Sequence, residues 1–282
     1  MDLIDLHVHS NASDGTLSPA KVVSLAVRKG LRAIALTDHD TLAGIAEAEE
    51  AARGLPMEVI PGIELSAIYE GTEIHILGLY VETADQAFRD SVESLLAARE
   101  KRNDEMIRRF TESGMALTRQ ELTEGNPDTV ITRAHFARVL MEKGFVTSMD
   151  QAFKKYLTYG GPYCPKKETI SPLRAMELLT ANGAFPVIAH PFQYHLGDKK
   201  LEELVSLLKE AGLQGIEAYH SSNNQYESGK LRLLAEKYGL LPTGGSDFHG
   251  SNKPDIDIGS GRGNLRVSAL LLDDIKRKRN ER

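Results

Sequence analysis

The sequence predicts an α/β fold, a distorted (β/α)7 barrel with a small helical insertion, and three observations support it. Seven short apolar runs recur along the 282 residues. Helix start and stop signals fall between them, and a repeated strand–helix alternation builds a parallel sheet or barrel. Six of the nine histidines lie at the ends of these runs, in IDLHVHS, TDHD, EIHILG, IAHP and GSDFHG. The ends of the strands therefore share one chemistry, suited to a multinuclear metal site.

Taken in order, the first strand covers residues 3–10. Residues two apart on a strand project from one face, so His7 and His9 point the same way and can chelate a single ion. Ser18 followed by Pro19 reads as an N-cap with proline at the first helical position, and Gly30 stands where that helix should stop. Residues 33–36 form a second strand before Asp38 and His39, and TLAGIAEAEEAA a second helix. Asp38 is expected to accept a hydrogen bond that fixes the His39 tautomer. Asp40 reads equally as such an acceptor or as the cap of the following helix. Residues 59–63 precede Glu64, and residues 74–79 enclose His75.

Roughly a hundred residues then separate the strand around His75 from the one before His190, where a βα unit needs about 30. Residues 84–113 read as one long helix, with Phe88, Val92, Leu95, Leu96, Ile107 and Phe110 near helical spacing. Residues 131–143 and 148–157 read as shorter ones. The barrel is thus expected over 1–98 and 168–282, with 99–167 as an inserted helical lid. Ser171 and Pro172 open the next helix and Gly183 ends it. Residues 187–189 lead to His190, 216–219 to His220, and 240–245 to Asp247 and His249. In a parallel barrel the loops after the strands form one face, so these side chains should converge there.

Composition agrees. A chain of this length with 41% hydrophobic residues can bury one large core. It shows no 18-residue apolar run and no N-terminal targeting pattern, so neither membrane insertion nor export is expected, and a cytoplasmic location is. The single cysteine, Cys164, rules out an internal disulfide and a thiolate cluster, leaving nitrogen and oxygen as metal ligands. A net charge of −6 argues against duplex DNA as a partner. Residues 99–167 are nevertheless basic, with 13 Lys and Arg against nine Asp and Glu. Oligomeric state is not legible.

The segments DLHVHSNASDGT, ALTDHD, the histidine of AHP and GSDFHG, with Glu64 and His75 between them, resemble the PHP (polymerase and histidinol phosphatase) superfamily of metal-dependent phosphoesterases. The resemblance covers nearly the whole chain. The insertion, with ITRAHFARVL and GGPYCPKK, is similar to the branch of nucleoside 3′,5′-bisphosphate phosphatases and 5′-to-3′ exonucleases of short RNA. It implies two to three divalent ions: one on His7, His9, Glu64 and Asp247, a second on Asp14, His39 and His190, a third on Glu64, His75 and His249, with Glu64 bridging. Asp14 stands where some branches carry histidine; its harder oxygen favours manganese or iron, whereas the affinity order favours zinc.

Such a cluster suits phosphate-ester hydrolysis. Water bound to it loses its proton near pH 7 instead of about 15.7, ready for in-line attack, and the ions neutralise the charge that builds on the phosphoryl and leaving oxygens. For substrate, Arg133 and His135 are expected to reach a second phosphate, with Arg99, Arg102 and Lys166 as further cations. His220 should touch substrate or cap its neighbouring loop. Tyr156, Tyr159 and Tyr163 are candidates for base stacking or for core packing. His195 is expected to be exposed, Cys164 packed, and Gly259–Asn264 a surface turn, since it matches no P-loop. The expected reaction is removal of the 3′-phosphate of a nucleoside 3′,5′-bisphosphate such as pAp, with stepwise release of 5′-nucleotides from short RNA as a related activity. A histidinol-phosphate or sugar-phosphate phosphatase is the alternative enzyme. A noncatalytic metal-binding scaffold is the alternative of another class, against which the complete set of nine ligand types argues.

Overall fold

The computed structural model describes residues 2–166 and 170–281. Among them are seven strands: β1 (Leu3–Val8), β2 (Leu31–Leu36), β3 (Glu58–Tyr69), β4 (Thr72–Leu79), β5 (Phe185–Ile188), β6 (Gly215–His220) and β7 (Leu241–Gly245). They stand in sequence order in one sheet. The segment after β7 then returns to β1, where His9 N–H donates to Phe248 O at 3.0 Å and Asp247 N–H to His7 O at 2.9 Å. That pairing nearly closes the barrel. Gly245 permits it, because a Cβ there would lie 2.4 Å from the His7 Cβ.

Around the sheet lie α1 (Pro19–Arg28), α2 (Ile45–Ala52), α3 (Gln86–Glu112), α4 (Arg119–Leu122), α5 (Arg133–Glu142), α6 (Met149–Lys155), α7 (Pro172–Ala181), α8 (Asp198–Glu210), α9 (Gln225–Tyr238) and α10 (Ala269–Asn280). The two proline-led helices begin where their sequence signals place them. Ser171 Oγ accepts from Arg174 N–H, whereas Ser18 makes no side-chain cap. None of the helices among the described residues is long and apolar enough to cross a membrane.

One strand departs from the parallel expectation. β4 runs antiparallel to both β3 and β5, with Ser66 opposite His75 and Tyr69 opposite Thr72. Between the last pair lie only Glu70 (φ 47°) and Gly71 (φ 84°), the positive-φ pair that a two-residue hairpin requires. A strand that returns in this way enters the barrel at the rim where its parallel neighbours end. His75, near the start of β4, therefore reaches the same rim as groups that follow the other strands.

The long helix α3 belongs to two cores. Asp85 caps it by accepting from Phe88 N–H, and Phe88 and Val92 pack with Ile63, Ile76 and Leu179 of the barrel. Farther along, Met106 and Phe110 join Phe136, Leu140 and Cys164 in a second apolar core. The boundary expected at 98/99 thus falls inside a continuous helix, and the one expected at 167/168 lies outside the described residues.

Candidate metal centre

All nine metal-ligand candidates meet at one barrel rim, with Glu64 at the centre. Glu64 Oε2 lies 3.3 Å from His7 Nε2, 3.3 Å from His9 Nε2 and 3.1 Å from His39 Nδ1, and Oε1 lies 2.8 Å from His75 Nδ1 and 3.0 Å from His190 Nε2. Asp247 Oδ1 stands 3.5 Å from His9 Nε2 and 3.3 Å from His249 Nδ1, while Asp14 Oδ1 is 3.0 Å from His249 Nε2. The side chains form four overlapping groups whose donor atoms lie within 4.8 Å of one another.

The unsatisfied atoms test whether cations fit. His7 Nε2, His9 Nε2, His39 Nδ1, His190 Nδ1 and Glu64 Oε2 are buried without a hydrogen-bond partner. A buried polar atom left so is costly, and several converging on one space mark a place for something they bind. Imidazole nitrogen and carboxylate oxygen are the donor set of manganese, iron and zinc.

Within the cluster the charged groups shift one another strongly. Burial alone would raise the Glu64 carboxyl, yet His39, His75 and His7 hold it well below the usual range. Against burial again, His249 and His39 depress Asp14. Burial disfavours charge on His75, but Glu64 pushes it up to about 10. Burial wins at His190, which falls to about 4, and at His9, which lies well below 6.5.

The grouping differs from the expected one by an exchange of two histidines. His190 sits on Glu64 and 3.3 Å from His75, not with Asp14 and His39. His249 sits with Asp14, His39 and His9, not with Glu64 and His75. Topology explains it: His190 follows β5, the neighbour of β4, whereas His249 follows β7, which closes against β1 and its Asp14 loop.

Several supporting residues carry functions that the sequence reading missed or misplaced. Asp38 does not hold the His39 ring; it accepts from Ser10 N–H at 2.9 Å, Ser10 Oγ at 2.7 Å and Ser13 Oγ at 2.6 Å, bracing the loop that carries Asp14. Asp40 is not the cap of α2, whose N-cap is Gly44. It accepts from Ser66 N–H and from the buried guanidinium of Arg99, so Arg99 ties α3 to the barrel. Glu217, fully buried on β6, faces His7 Nδ1 at 3.0 Å and accepts from His190 N–H at 2.7 Å. Asp5 accepts from Ser246 and Gly259 N–H, holding the end of β7 against β1. An acid inside an apolar strand was the signal for Glu217 and Asp5.

A cavity of about 350 Å³ opens above the cluster, lined by Asp14, His39, His75 and His249 below and by Arg133, Met149 and Phe153 above. Arg133 reaches it while donating to Glu73 Oε1 (3.1 Å) and Leu157 O (3.2 Å). His135 is buried instead: its Nδ1 accepts from Thr132 N–H at 2.9 Å in a capping box, which leaves the proton on Nε2. Burial keeps it neutral, with its value lowered to about 4. His220 caps its own loop through Ser222 N–H and turns Nε2 toward Asp247 Oδ2 at 3.4 Å. Lys166 is exposed beside Gly160 and does not line the cavity; Lys253, unnoticed in the sequence, lines it with Nζ 2.6 Å from Asp247 Oδ2. Arg102 is buried on Asn103 Oδ1. Tyr156 and Tyr163 pack around Phe110 and Tyr159 does not line the cavity, so among the described residues Phe153 is its aromatic wall. Cys164 is buried, and His195 is exposed. The 259–264 segment is a turn whose Arg262 donates to Ser221 O.

A barrel rim that converges imidazoles and carboxylates with unfilled donor atoms defines a metal-dependent hydrolase. The PHP domain model matches residues 5–211, and the chain belongs to that family, as a phosphoesterase. It is 37% identical over 245 residues to a 5′-3′ exoribonuclease of Haemophilus influenzae, covering 87% of this chain and 89% of the relative. To a 3′,5′-nucleoside bisphosphate phosphatase of Chromobacterium violaceum it is 36% identical over 260 residues, 91% and 90% of the two chains. A Bifidobacterium adolescentis structure assigned as a metal-dependent phosphoesterase superposes with a TM-score of 0.84 at 27% identity, covering 97% and 95%.

Proposed function

We propose that the protein removes the 3′-phosphate of nucleoside 3′,5′-bisphosphates to leave 5′-nucleotides, and that the same site shortens RNA from its 5′ end. The observation that carries this is the cavity, in which a lid cation, Arg133, and an aromatic wall, Phe153, stand across from the Glu64 cluster. A substrate with two phosphates and a base needs those three features. The names of the two relatives support the same reading.

Nine residues would hold two to three divalent cations: His7, His9, Asp14, His39, Glu64, His75, His190, Asp247 and His249. Bound there, such ions supply Lewis-acid charge and an acidified water. The chain supplies position and neutralisation. Arg133, anchored by Glu73, offers N–H donors to the phosphate that is not cleaved, while His135, buried behind the cavity, holds the start of α5 in place. Lys253 adds positive charge beside Asp247. His220 orients Asp247 rather than substrate, and Asp38 holds the Asp14 loop. Residues 99–167 act as the lid over this site, and a cytoplasmic location suits a nucleotide substrate.

Histidinol phosphate would require a carboxylate free to receive its amine. The cavity wall carries two acids, Asp14, which belongs to the cation cluster, and Glu73, which is engaged by Arg133 and His75. Phosphate release with Mn²⁺ from pAp, 5′-AMP, histidinol phosphate and a short 5′-phosphorylated RNA tests the proposal. Turnover of pAp should lead, with RNA second; a lead for histidinol phosphate would overturn it.

A further inference from the structure

At the start of α5 the lid comes into hydrogen-bond contact with a member of the candidate metal centre. Residues 129–132 run alongside the β1–α1 loop: Thr129 Oγ1 donates to Asn11 O at 2.9 Å and Val130 N–H to Ala12 O at 3.0 Å. Asn103 of α3 holds the next residue by donating to Ile131 O at 3.0 Å. Thr132, the N-cap of α5, then reaches Asp14 Oδ2 with its hydroxyl at 2.8 Å.

The proton on that hydroxyl can be placed. Thr132 Oγ1 accepts from Ala134 N–H at 3.1 Å as the cap. The other polar neighbour, His135 Nδ1, lies at 3.5 Å and is already accepting from Thr132 N–H. A hydroxyl has one proton to give. Its short contact with a carboxylate, buried on both sides, takes that proton. Capping alone uses only the lone pair, so the donor is available for a second task.

We propose that Thr132 is a positioning residue for Asp14, through which the lid sets cation affinity at the Asp14, His39 and His249 group. Its hydroxyl holds Oδ2, which also faces His39 Nε2 at 3.7 Å, and so fixes Oδ1 toward His249 Nε2 and His9 Nδ1, which lie 3.0 and 3.9 Å away. The inference rests on the reading of Asp14 as a cation ligand. Groups that orient metal-binding carboxylates are worth about 10–100-fold in affinity.

Calorimetric titration of the metal-stripped protein with Mn²⁺ at fixed pH provides the test, with total metal content measured alongside. Thr132→Ala should weaken one binding step about 10–100-fold, and Thr132→Ser should restore it. Thr132→Gly separates the two tasks, because glycine caps a helix within a few tenths of a kcal/mol of threonine but carries no hydroxyl. It should weaken the same step. If the Ala and Gly variants bind Mn²⁺ as the wild type does and differ only in the melting temperature of the stripped protein, Thr132 is a helix cap and the inference fails. Wild-type protein that takes up no Mn²⁺ would instead remove the metal reading, and this inference with it.

Discussion

Arg133 occupies a position where one side chain can decide between substrates. Its guanidinium is held by Glu73 Oε1 and Leu157 O and lies 5.7 Å from the centre of the Phe153 ring, so a phosphate arriving above the cluster meets donors already aimed. A charge-assisted hydrogen bond is worth about 1.5–3 kcal/mol, or roughly 10–150-fold in an equilibrium. Arg133→Ala should therefore raise KM for pAp by that factor while changing KM for a simple phosphate monoester little; equal losses on both would remove the role. Glu217 acts one layer deeper. Both carboxylate oxygens accept, one facing His7 Nδ1 and the other His190 N–H, and a glutamine can accept at only one of them. Glu217→Gln should cost about 1–3 kcal/mol in urea denaturation of the metal-stripped protein. A cost below a few tenths would show that the pair does not brace the rim. At this scale the meeting of the candidates that end apolar runs was legible because imidazoles and carboxylates are rare there, whereas Asp14, in the loop after β1, is named by the family resemblance alone. Glu217 signals itself only as an acid inside an apolar strand, and its role, like that of Lys253, depends on which strands become neighbours.

Helix α3 shows why an element can be found in the sequence while its function is hidden. Its apolar spacing predicts one long helix, as observed, but spacing says nothing about which stretch faces which core. The barrel takes Phe88 and Val92, the lid takes Met106 and Phe110, and the pair of Arg99 with Asp40 lies between them, both side chains buried. Arg99, expected to bind phosphate, lines the cavity but commits its Nε and Nη2 to this joint. Removing one member of a buried pair strands the other charge, at a cost of about 3–5 kcal/mol. Asp40→Ala should show that loss in urea denaturation, and Asp40→Ala with Arg99→Met should recover much of it. Near-zero cost for the single variant would mean the lid is anchored elsewhere. β4 carried a comparable ambiguity. Its apolar run reads equally well in either direction, and only the Glu70–Gly71 turn distinguishes a hairpin from a crossover, so the parallel expectation failed there.

Across the whole molecule, protons and cations compete for the same atoms. Without cations, His75 is raised to about 10 by Glu64 and His7 well above 6.5 by Glu217 and Glu64, in both cases against burial. Both shifts favour the protonated imidazole, and a ligand nitrogen must be free of its proton. Mn²⁺ binding should therefore release protons, detected as a binding enthalpy that changes with the ionisation enthalpy of the buffer, and affinity should rise from pH 6 to 8. The same linkage gives stability a pH dependence whose sign can be worked out. For a histidine raised in the folded state, stability is fully present below the unfolded value of about 6.5 and is lost as pH climbs through the folded one. Chelated protein should thus lose stability between pH 7 and 9. Loaded protein has exchanged those protons for cations and should not share the slope; at a hundredfold excess over Kd the ions should also add about 2.7 kcal/mol. Denaturation with urea at three pH values, with chelator and with Mn²⁺, separates the two curves. Parallel curves would mean that the cations do not bind where the protons sit, and the rim of imidazoles would then need another occupant.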